Sequence, residues 1–154
     1  MLIKLLELLD KENKTISVAE SCTGGLISKM ITDNAGVSKV FGLGVTTYSN
    51  EMKMKLLGVP EETLKSFGAV SEETAYSMAK GCLELSGADI AVSVTGIAGP
   101  SSDGTSKKVG TVCFGVATKD GCRTKTHYFD GNREQIRQQS AETAISFAFE
   151  ELVK

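Results

Sequence analysis

Histidine is almost missing from this sequence: His127 stands alone among 154 residues. That scarcity argues against a zinc site, because Cys22, Cys82, Cys113 and Cys122 are scattered and form no Cys-x-x-Cys pair. No metal is expected, and nothing in the residues calls for a cofactor. No apolar run approaches the ~20 residues of a membrane-spanning helix. The leucine-rich start is interrupted by Lys4 and Glu7 and lacks a small-residue cleavage site, so it reads as an amphipathic helix and not a signal peptide. Positive charge is not in excess either. Seventeen Lys+Arg face nineteen Asp+Glu, a net charge of −2, which speaks against nucleic acid as a partner. The expected setting is the reducing cytoplasm, with free thiols.

What remains is ordinary globular composition, 41% hydrophobic and 23% charged. The length suits one domain, residues 1–154, around one core. Apolar spacing predicts a helix over 2–12, then a strand over 15–19, a glycine-containing turn and a helix over 26–31. A strand follows over 40–48. Residues 49–66 read as short helical pieces broken at Gly58-Val59-Pro60, because proline cannot continue a helix. Ser71 caps a helix running to 86. Residues 89–95 form the most hydrophobic strand and lead into a Gly/Ser/Pro/Asp-rich loop over 96–108, long enough for a lid. Two further strands, 110–117 and 124–129, flank an Asp-Gly turn at Lys119-Asp120-Gly121. A helix over 132–153 closes the chain. The pattern predicts an α/β fold, a mixed, mostly parallel sheet with helices on both faces. Ligands bind beyond the carboxyl ends of parallel strands in such sheets, so the turns after residues 19, 47 and 95 converge on one expected crevice.

Ser21 lies at the first strand-to-helix junction, followed by Thr23, Gly24 and Gly25. Free backbone N–H groups and a helix N-terminus there suit an anion or a developing oxyanion. No Gly-Lys-Ser/Thr follows, so this is not a Walker loop. A serine needs a proton acceptor to attack at neutral pH. His127 sits between Thr126 and Tyr128 in a hairpin strand and reads as structural. A lysine freed of its proton by burial is the alternative base. Lys53 offers one near a strand end, with Tyr48 able to hydrogen-bond to it or relay a proton. Thr95-Gly96 ends the central strand with room for a ligand to approach the backbone. Arg133 and Arg137, one turn apart on the last helix, are candidate phosphate ligands.

Taken in order, Ala19-Glu20-Ser21-Cys22-Thr23-Gly24-Gly25, Thr47-Tyr48-Ser49-Asn50 with Lys53, Gly68-Ala69-Val70-Ser71, Val94 to Pro100, and Val109-Gly110-Thr111-Val112 resemble the CinA C-terminal domain family. These are the nicotinamide mononucleotide (NMN) amidohydrolases, and the likeness covers essentially the whole chain. The resemblance implies a three-layer α/β/α sandwich and hydrolysis of NMN to nicotinic acid mononucleotide and ammonia, in pyridine-nucleotide salvage. It makes Ser21 the nucleophile, Lys53 its general base and Tyr48 an assisting group. Thr23, Gly24, Ser38, Thr95 and Gly96 would meet the substrate, and Arg133 or Arg137 its phosphate. The partner is then a small-molecule nucleotide, with no membrane, and a homo-oligomer is expected. Two departures stand out. The larger domain that precedes many relatives is expected to be absent, and Lys107-Lys108 replaces the family's frequent Lys-Pro, which is expected to loosen the loop over 97–108. The competing reading is a non-catalytic nucleotide-binding module linked to competence or DNA damage.

Overall fold

Leucines at helical spacing bury one face of α1 (Leu2–Glu12), with Leu5, Leu6 and Leu9 in the core, in a computed structural model that describes Met1–Lys154. Asn13 ends the helix in the left-handed conformation. Strand β1 (Ile16–Glu20) follows and is buried along its whole length. Then come α2 (Leu26–Thr32), a single 3-10 turn (Val37–Lys39) and β2 (Phe41–Thr46), where half-buried and exposed positions alternate as on an edge strand.

Helices α3 (Asn50–Leu57) and α4 (Glu61–Phe67) are separated at Gly58-Val59-Pro60, as proline chemistry requires. Helix α5 (Glu72–Ser86) starts at Ser71, whose hydroxyl accepts from the Thr74 amide. Strand β3 (Ile90–Gly96) is buried on both faces, and β4 (Thr111–Thr118) and β5 (Gly121–Tyr128) form the hairpin. Helix α6 (Arg133–Leu152) opens with a capping box between Asn132 and Gln135.

The sheet runs β2-β1-β3-β4-β5 and is mixed: β2, β1 and β3 pair in parallel, while β3–β4 and β4–β5 are antiparallel. Four of the five strands therefore share one direction. Helices α1, α2 and α6 cover one face, and α5, backed by α3 and α4, covers the other. The main core lies on the α6 side around Val18, Val92, Phe114 and Ile145, and a smaller cluster of Ala19, Leu57, Met78 and Cys82 fills the α5 side. Gly81 on α5 makes that second layer possible. A Cβ there would stand 1.8 Å from the Leu57 carbonyl oxygen, so only glycine lets the end of α3 press onto α5. This fixes α3 against the sheet and, with it, the lysine it carries inward.

Candidate active site

The parallel strands finish together. Glu20 lies level with Thr46 on β2 and Val94 on β3. Beyond them the Ser21 amide donates to the Val94 carbonyl at 3.0 Å and the Thr47 amide to the Glu20 carbonyl at 2.9 Å. The chain leaves β1 for β2 on one side and crosses to β3 on the other. The turns after β1, β2 and β3 thus enclose the switch point of the sheet, the place where α/β folds bind ligands.

Lys53 enters this crevice from the first turns of α3 and is 1% exposed. Its Nζ lies 3.0 Å from Ser21 Oγ, 2.9 Å from the Thr47 carbonyl and 3.3 Å from the Tyr48 carbonyl. It has no carboxylate partner. Burial of the ammonium, slightly offset by Cys22, lowers its pKa from 10.5 to about 8. A neutral amine has two N–H bonds and one lone pair. The two carbonyls take the N–H bonds, and the lone pair is left facing the serine hydroxyl. Cys22, the neighbour of Ser21, is excluded as a competing nucleophile, since burial pushes its thiol up to about 12.

Ser21, Lys53, Thr95, Gly96, Tyr48 and Arg133 share one cavity of about 170 Å³, joined by Cys22, Asn50, Ala69, Val70, Ala98 and Asp103. Thr95 Oγ1 donates to the Ala69 carbonyl at 2.8 Å and keeps its lone pairs for an incoming donor. Arg133 reaches over from α6, donating to the Gly99 carbonyl at 2.7 Å and to the Tyr48 hydroxyl at 3.4 Å.

The other candidate residues are engaged elsewhere or lie outside this cavity. Tyr48 is 64% exposed, its hydroxyl meets Arg133, and it touches Lys53 through its carbonyl. Arg137 lies outside the cavity lining and donates from Nε and Nη2 to the Cys22 and Thr23 carbonyls, at 3.1 and 2.7 Å, clamping the turn. Thr23 faces inward, its hydroxyl donating to Glu20 at 2.7 Å, and the Gly24 amide donates to the Ser21 carbonyl at 3.0 Å with φ +57°. Neither lines the cavity. Ser38 sits exposed on the 3-10 turn ahead of β2, roughly 20 Å of strand away from Thr46 and at the opposite end of the sheet. His127 lies in β5 against Phe114 and Phe129, away from the crevice, and burial lowers its pKa.

Glu20 stands in the first matching segment, but its role escaped notice in the sequence. It is fully buried, and its carboxylate accepts four hydrogen bonds, from Thr23 Oγ1, the Ile27 and Ser28 amides and Ser28 Oγ, at 2.7 to 3.1 Å. It caps α2 from the preceding strand and so fixes the turn that carries Ser21. The signal lay in its place, the last residue of a buried strand, three before Thr23 and seven and eight before the helix amides. No three His, Cys, Asp or Glu side chains gather to hold a metal.

A family model described as the CinA C-terminal domain matches residues 2–152. The chain is 52% identical over 140 residues to a protein of Enterobacter agglomerans named nicotinamide-nucleotide amidohydrolase PncC, covering 90% of this chain and 85% of that one. It is 50% identical over 143 residues to a CinA-like protein of Leptospira biflexa, covering 92% of this chain but only 34% of the longer relative. The chain therefore spans about a third of such relatives. Among solved structures, a competence-damaged protein (CinA) superfamily protein from Klebsiella pneumoniae superposes with a TM-score of 0.96 at 32% identity, over 99% of this chain and 95% of that one. The competence/damage-inducible protein CihA from Agrobacterium tumefaciens gives 0.91 at 40% identity, over 99% and 93%.

Proposed function

We propose, from the premise that this chain belongs to the CinA C-terminal domain family, that it hydrolyses the carboxamide of NMN to nicotinic acid mononucleotide and ammonia. The single observation that carries the mechanism is the unpaired, buried Lys53 amine 3.0 Å from Ser21 Oγ. The name of the Enterobacter relative supports the substrate.

In the first half-reaction neutral Lys53 takes the Ser21 proton as Oγ attacks the amide carbon. The oxyanion that forms is met by the amide of Cys22, a residue that lines the cavity and whose amide donates to nothing else in the chain. The Lys53 proton then passes to the amide nitrogen, the C–N bond breaks and ammonia leaves. Water, deprotonated by the same amine, attacks the acyl-serine and releases the acid, returning the proton to Ser21. The cavity is smaller than the ~300 Å³ of a typical whole-ligand site, so it encloses the ring and carboxamide while the ribose phosphate extends outward. Arg133, at the mouth, is the phosphate ligand in this arrangement, and Thr95 accepts from the carboxamide. The carboxamide is the reacting end, ammonia the leaving group and the phosphate the anchor.

Ammonia release from NMN, measured on the wild type, Ser21→Ala and Lys53→Ala, tests the proposal. Both variants are expected to fall by about 10³-fold or more. Undiminished activity in Ser21→Ala would remove it from the role of nucleophile, and tight NMN binding without product in the wild type would favour a non-catalytic module.

A further inference from the structure

The ring of a nicotinamide nucleotide carries a full positive charge at its glycosylated nitrogen and offers no hydrogen bond there. Only a negative group or an aromatic face can recognise it. The cavity that holds Ser21 and Lys53 contains one acidic residue, Asp103, and one aromatic residue, Tyr48. Neither has a part in the proton transfers just described.

Asp103 belongs to the loop over 97–108, and that loop is tied down. Lys107 Nζ donates to the Phe67 carbonyl at 2.8 Å and also to the Val70 carbonyl, on the wall of the same cavity. One carboxylate oxygen of Asp103 accepts from the Thr105 amide at 2.9 Å and from the Thr105 hydroxyl, closing a local turn. The other accepts nothing, and no lysine or arginine pairs with the residue. Arg133 and Lys53, the two cations that line the cavity, hydrogen-bond to other groups, Arg133 to Gly99 and Tyr48 and Lys53 to Thr47, Tyr48 and Ser21. Asp103 lines the cavity with one carboxylate oxygen unpartnered, and that oxygen is a complement for a cation that arrives.

Building on the amidohydrolase reading, we propose that Asp103 is a specificity determinant that selects substrates whose amide-bearing ring is cationic. Neutral rings of the same shape are thereby disfavoured. The side chain acts on binding and not on the bond-breaking step.

The test compares NMN with its reduced form, whose dihydropyridine ring keeps the carboxamide, ribose and phosphate but has lost the charge. Dissociation constants are measured by calorimetry on Ser21→Ala, which cannot turn over, and on Ser21→Ala carrying Asp103→Asn or Asp103→Glu. Asparagine keeps the acceptor that closes the turn with Thr105 and removes only the charge. The Ser21→Ala protein is expected to prefer NMN by about fivefold, the scale of one partly screened charge pair. Asp103→Asn should close that gap by weakening NMN alone, and Asp103→Glu should retain it. An equal loss for both ligands, or an unchanged gap in Asp103→Asn, would overturn the inference and leave the amidohydrolase reading standing. Failure of both forms to bind Ser21→Ala would sink the nucleotide reading itself, and this inference with it.

Discussion

Two fully buried charges meet at the carboxyl end of the sheet, and they are treated in opposite ways. Glu20, closing β1, accepts four hydrogen bonds and sits at the amino end of α2, where a negative charge is welcome. Lys53, arriving from α3, is given two backbone carbonyls and one hydroxyl but no anion. The first charge is satisfied and holds the frame. The second is held at a cost, which the protein can lower only by letting the proton go. A buried charge with a complete set of partners reads as scaffold, and one with an incomplete set reads as chemistry.

Replacing Lys53 by methionine should break the contrast most severely. Activity is expected to fall by about 10³-fold or more. The fold, in contrast, should gain. Because Lys53 has a pKa of about 8 when folded and 10.5 otherwise, the folded state binds fewer protons between those values, so wild-type stability rises with pH across that window. Below pH 8 the burial penalty is fully present, on the order of 3 kcal/mol. Thermal unfolding should show Lys53→Met above the wild type at pH 7, with the difference shrinking towards pH 10.5.

The opposite substitution sharpens the comparison. Glu20→Ala leaves the Ile27 and Ser28 amides without their acceptor and is expected to destabilise the protein by about 3 kcal/mol, read from denaturant unfolding. Its activity loss should follow from a displaced Ser21. Arg137→Met is a milder probe of the same turn. Losing the clamp on the Cys22 and Thr23 carbonyls should cost about 2 kcal/mol of stability. The accompanying fall in kcat should be small, with KM for the nucleotide little changed, because Arg137 does not line the cavity. A large rise in KM would show instead that the residue does hold phosphate.

Local chemistry made much of this frame readable. The break at Pro60, the Ser71 cap, the Asp-Gly turn and the strand-turn-helix around Ser21 each depend on neighbours in sequence, and all appear near their expected places. The mixed α/β sheet followed from those pieces. The site was readable only down to which segments meet, because a strand end fixes position but not where a side chain turns. Tyr48 leaves β2 in the expected place and yet points its ring outward. Arg133 and Arg137 share a helical face, but four residues of rise bring one to the cavity and the other over a turn whose carbonyls consume it. Glu20 looked like one acid among many, since burial of a carboxylate depends on donors that only the folded β1–α2 junction assembles.

Direct titration of the Lys53 amine decides the central claim. In protein labelled at lysine Nζ, with the resonance assigned by its loss in Lys53→Met, NMR across pH 6 to 11 is expected to show a midpoint at about 8. A midpoint at the ordinary lysine value of 10.5 would mean that the amine stays charged in the working range, and Ser21 would have no base.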